Sequence, residues 1–206
     1  MRKFFRNNGL SVVLASLFLT IWSLQAVSGW HVHSDDRILA GRPALAFGDY
    51  LQSGHFWQAT GENWESEFLQ MGFYVVLTIF LYQKGSAESK DPDDRHNEEK
   101  EASNGNVSWL YQNSLSLTFG ALFVLSFGVH AVGGLIEENE KRLQHGQPTE
   151  TMSGFITGSQ FWFESFQNWQ SEFLAVLSIV TLTIFLRQKG SPESKAVTDS
   201  NGKTAG

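Results

Sequence analysis

Cysteine is absent from the 206 residues, which excludes disulfides and thiolate metal sites and leaves the redox compartment open. A surplus of cations is missing too. Fifteen Lys and Arg stand against twenty-one Asp and Glu, and the resulting net charge of −6 excludes the broad basic surface of a general nucleic-acid binder. No Gly-rich phosphate loop, nucleophile elbow, zincin motif or dinucleotide fingerprint occurs, so no cofactor and no enzymatic activity are expected. The most informative absence is local. No Asp, Glu, Lys or Arg occurs from Asn7 to Ser34, and none from Ala102 to Ile136. The mean hydropathy of −0.18 reads as soluble only because the charge is crowded into the remaining segments.

What fills the uncharged windows is apolar. Residues 10–30 and 115–136 form stretches of 21 and 22 residues. About 20 helical residues cross a hydrocarbon layer, so both predict transmembrane helices. Two further stretches, 68–83 and 173–186, are shorter. Beginning them at Asn63 and Asn168 restores full crossings over residues 63–83 and 168–187. Trp64 and Trp169 then fall at a headgroup belt, and Lys84, Arg187 and Lys189 snorkel at the far end. The basic start Met1–Arg6 followed by an apolar run also resembles a secretory signal. An uncleaved anchor is the better reading, because a matching run recurs inside the chain.

That recurrence is general. Residues 8–90 and 113–195 align at a constant offset of 105 without a gap, and 32 of the 83 pairs are identical. A duplicated segment is one structural module used twice. Eleven of the fifteen Lys and Arg lie in the N-terminus, the middle segment and the tail, and four in the two other loops. The positive-inside rule places both termini in the cytoplasm and makes the two modules enter the membrane in the same sense. Residues 91–112 read as an acidic, flexible cytoplasmic linker and residues 196–206 as a disordered tail. Four spans with short polar ends leave no room for a soluble catalytic domain.

Gly41-Arg42-Pro43 and Gly146-Gln147-Pro148 carry the signature of a helix end followed by a new helix start, so the first helix is expected to run to about residue 39. Residues 44–58 and 151–163 are aromatic-rich and amphipathic. They suit a helix lying in the outer interface or a cap over the bundle, and the pattern does not choose between these.

Candidate site residues follow from placement. Glu67 and Glu172 occupy matching positions near the apolar layer, where an ionisable group is costly and marks a candidate site. Asn63 and Asn168 lie one turn earlier on the same face. Structural roles compete: the Asn as helix caps, the Glu as partners of the helix dipole. Gln25 and His130 are matched polar residues inside the first span of each module and suit interhelical hydrogen bonds. Trp57, Trp64, Trp162 and Trp169 read as interface anchors, and Ser11, Ala15, Ser116 and Gly120 as small-residue packing pairs. His31-Val32-His33 with Asp35 and Asp36 resembles a metal cluster. The second module lacks it, and His-x-His does not share a helical face, so no metal is expected.

The blocks Asn-Trp-x-Ser-Glu-Phe-Leu and Phe-Leu-x-Gln-Lys-Gly-Ser-x-Glu-Ser-Lys, present in both modules, resemble an uncharacterised bacterial family of small membrane proteins, a domain of unknown function. The resemblance spans nearly the whole chain. It implies a bacterial cell-membrane protein and supplies no activity, cofactor or catalytic residue.

The expectation is therefore an all-α integral membrane protein of the bacterial inner membrane, with four spans in two tandem parallel hairpin repeats. Its partners are the lipid bilayer, a second copy or other membrane proteins. Its role is a non-enzymatic scaffold or, alternatively, a small proton- or cation-linked transporter using Glu67 and Glu172.

Overall fold

The computed structural model describes residues 2–92 and 108–204. These form seven helices and no strand: α1 (Arg2–Leu39), α2 (Phe47–Tyr50), α3 (Gly54–Phe80), α4 (Trp109–Gln112), α5 (Ser114–Gln144), α6 (Met152–Thr157) and α7 (Ser159–Phe185). Residues 93–107 of the expected linker lie outside the described residues.

The helix ends follow local chemistry. α1 stops at Leu39, where Gly41 takes a φ of 75° and the Arg42 amide donates back to the Arg37 carbonyl at 2.8 Å. Gly146 has a φ of 68°, and the Gln147 amide donates to the Arg142 carbonyl at 2.8 Å. Both are glycine-terminated helix caps. Asn interrupts the helix at Asn8, whose φ/ψ of −125/16 is non-helical, and at Asn113, with −109/12. Each side-chain amide donates to the carbonyl four residues back: Asn8 to Phe4 at 3.0 Å, and Asn113 to Trp109 at 2.8 Å. A short polar side chain competes here with the backbone ladder.

α1, α5 and α7 are long and apolar enough to cross a membrane. That corrects the expected four spans to three by this criterion. α3 has the length, but Glu65 and Gln70 stand where α7 has Gln170 and Ala175. The amphipathic segments are not independent helices of interfacial length. Only α2 and α6 are separate, with four and six residues, and the rest forms the first turns of α3 and α7.

The chain divides into two compact units. The first comprises residues 1–61 and 129–158. Its apolar core is Ala26, Tyr50 and Phe56, with Trp22, Trp30 and Leu51 packed against them. Indole N–H groups tie the loops down: Trp30 donates to the Leu45 carbonyl at 2.7 Å and Trp22 to the Thr60 hydroxyl at 3.3 Å. The start of α3 runs antiparallel to the end of α5 at backbone contact. A methyl group added to Gly133 would lie 2.5 Å from the Gln58 nitrogen, and one added to Gly54 would lie 2.6 Å from the Glu137 nitrogen. Gly61 meets the His130 backbone in the same way.

The second unit comprises residues 62–128 and 159–206. Aromatic rings fill it. Phe127 meets Phe161 edge-on at 5.3 Å, and Trp162 meets Trp169 at 6.2 Å. The tail was expected to be disordered, but as far as Thr204 it folds back in turns. The Lys195 ammonium is buried and donates to the carbonyls of Gly85, Lys203 (2.9 Å) and Asn201 (3.2 Å), while the Thr204 hydroxyl accepts from the Gly85 amide at 3.0 Å. These carbonyls replace water around the ammonium, which a composition-based reading does not anticipate.

Candidate functional site

Two polar clusters sit inside otherwise apolar helices, one in each unit. In the first unit, the last turns of α1 carry His33, which is 5% exposed, and α5 presents Glu137, which is 4% exposed. Their Nδ1 and Oε1 atoms are 4.0 Å apart. Glu140, one turn beyond Glu137, accepts from both Arg37 and Arg42, the latter at 3.1 Å. Lys141 reaches Glu137 Oε1 at 3.3 Å. His55, at the start of α3, packs its ring 4.9 Å from that of His33, and its Nδ1 is 3.1 Å from the Tyr50 hydroxyl. Burial lowers the pKa of His55 below 6.5, with Glu137 opposing and His33 and Lys141 reinforcing the shift. Burial and Glu137 push the Tyr50 phenol up to about 12. His33 and Arg37 lie one turn apart on α1, and Glu137 and Glu140 one turn apart on α5, which is why the two pairs meet.

In the second unit the centre is Glu65, fully buried, whose Oε1 accepts from Ser165 Oγ at 2.9 Å and Trp169 Nε1 at 3.2 Å. Beside it the Asn168 side-chain amide donates to Glu62 Oε1 and to the Glu164 carbonyl. The pair singled out by sequence, Glu67 and Glu172, lies within electrostatic reach across α3 and α7, with Glu67 exposed and Glu172 half-buried. Asn168 points its amide to Glu62, and Asn63 is exposed, its carbonyl accepting from Ser66 Oγ at 2.8 Å. His130 is fully buried and Gln25 half-buried in the first unit.

The tryptophans are divided. Trp57 is exposed and, with Trp22 and Phe56, lines an apolar groove of about 510 Å³ in the first unit. Trp64 is half-buried. Trp162 and Trp169 pack in the aromatic cluster, and Trp169 spends its N–H on Glu65. Ser11, Ala15 and Gly120 are exposed, and Ser116 with Gly120 lines a second groove, of about 340 Å³, opposite Gly72 and Phe73. The closest helix approach is carried instead by Gly54, Gly61 and Gly133.

Sequence reasoning passed over Glu65 and Glu62 because their counterparts are Gln170 and Gln167, and a search for matched acids skips them. It also discounted His33, because the second module lacks the cluster and His-x-His does not share a helical face. The residues that face His33 and Arg37 in the fold, Glu137 and Glu140, lie more than 100 residues away, in the second module. The helical spacing of Glu137 and Glu140 was the available signal.

No curated protein and no solved structure matches the chain. A family profile matches residues 1–206. The chain belongs to that family, which is described as a domain of unknown function (DUF6766).

Proposed function

We propose that this chain is a non-enzymatic membrane scaffold of the bacterial inner membrane, acting through other membrane proteins or through a second copy. One observation carries the reading. Only 6% of the most apolar window of α1, and 6% of that of α7, is buried within the chain. Leu10, Ile21 and Leu24 on α1, and Leu174 and Leu177 on α7, are all exposed. Apolar surface of this extent is covered by lipid or by a partner helix. α3 supplies the fourth span: at about 1.5 Å per residue its 27 residues exceed a bilayer core, and its counterpart α7 meets the hydropathy criterion. The duplicated caps at Gly41 and Gly146, and the duplicated interruptions at Asn8 and Asn113, support two tandem copies of one helical pair.

A second reading has its own support. The proximity of Glu67 and Glu172 suits a shared proton or a bound cation, as in a small transporter. One experiment separates the two. A photo-crosslinker at Leu17, exposed on α1, is installed in the native membrane, and proton and cation flux is measured in vesicles reconstituted with the wild type and with Glu67→Gln/Glu172→Gln. The scaffold reading expects crosslinks to a defined partner or second copy and no flux above empty vesicles. Flux that disappears in the double variant would overturn it in favour of transport.

A further inference from the structure

The cluster at the junction of α1, α3 and α5 is over-supplied with ligating atoms for a purely structural contact. One nitrogen or carboxylate oxygen from each of His33, Glu137 and Glu140 lies within 4.8 Å of the others. His33 Nε2 and Glu137 Oε2 are buried without any hydrogen-bond partner. Two orphaned polar atoms on neighbouring buried side chains cost free energy unless something absent from the chain satisfies them. The neighbouring cations do not. Arg37 and Arg42 are engaged on Glu140 Oε1, and Lys141 sits on Glu137 Oε1.

We propose that His33, Glu137 and Glu140 form a binding site for one divalent ion of the zinc class. An imidazole with two carboxylates suits a borderline transition metal, whereas calcium and magnesium favour shells of oxygen alone. Donors sharing such an ion stand about 3–3.5 Å apart, so the cluster closes by about 1 Å on loading. Charge sets the cost. Two carboxylates already face three cations, and a divalent ion adds to the positive side. Lys141 relieves this, because its side chain is 57% exposed and swings into water, while Arg37 stays to hold Glu140. The ring of His55, fixed through Nδ1 by the Tyr50 hydroxyl, walls the site beside His33. Because the ligands come from both halves of the duplicated sequence, the ion staples segments roughly 100 residues apart, as structural zinc does.

The test uses the full chain in detergent, stripped with chelator and titrated with Zn²⁺ and with Co²⁺. The expected result is one equivalent bound, a Co²⁺ ligand-field spectrum, and no competition from Mg²⁺ or Ca²⁺. His33→Ala and Glu137→Gln should each weaken binding by about ten-fold or more. His31→Ala and His145→Ala, which alter exposed histidines, should leave it unchanged. In the wild type, independently of any variant's folding, X-ray absorption at the zinc edge should show nitrogen and oxygen ligation that includes one imidazole, since the only histidine in the proposed ligand set is His33. Absence of stoichiometric binding, or a bound ion without an imidazole ligand, would overturn the assignment.

Discussion

His55 shows how much one residue's surroundings decide. In the fold it lies against His33 and Tyr50 and within the fields of Glu137, Lys141 and Asp36. Burial favours its neutral form, so its folded pKa lies below 6.5. As pH falls through about 6.5, the unfolded chain takes up this proton first, and stability present at neutral pH is progressively lost. With chelator present, the thermal midpoint should therefore drop between about pH 7.5 and 5.5, and His55→Asn should flatten that slope. An unchanged slope in the variant would mean that another group is responsible. The same scale shows what was hidden. Glu67 and Glu172 stand out in the sequence because duplication marks them, and in the fold Glu172 feels the charge of Glu67. Glu65, Glu137 and Glu140 do not stand out, because their roles depend on contacts made about 100 residues away.

The elements were more legible than the sites. Uncharged windows located α1 and α5, and Gly-x-Pro located their ends, because helix length and capping are local properties. The amphipathic stretches were harder. Their 3.6-residue period is broken at residues 51–53 and at extended Gly158, so the earlier residues form the short α2 and α6 while the later ones begin α3 and α7. Helix contact was misplaced for a related reason. Small-xxx-small spacing occurs widely, and only the backbone approach of α3 to α5 identifies Gly54, Gly61 and Gly133 as the residues that need to be small. Gly133→Ala should cost about 1–3 kcal/mol, because the added methyl meets backbone rather than a flexible side chain. Gly128→Ala, on the same helix with open space around it, should be near neutral or slightly stabilising. Equal thermal midpoints for the two variants would remove the close packing from the account.

For the molecule as a whole, everything rests on which helices have lipid as their solvent. α1, α5 and α7 qualify by length and hydropathy, and α3 decides the topology. If all four cross, the two halves of the chain enter alike and both termini stay on one side, in line with the placement of eleven of the fifteen Lys and Arg. If α3 does not cross, the second half is inverted. Reporter fusions at Ser103, after α3, and at Gly146, after α5, separate these outcomes directly. Four spans predict a cytoplasmic signal at Ser103 and an external one at Gly146. An external signal at Ser103 with a cytoplasmic one at Gly146 would contradict the account.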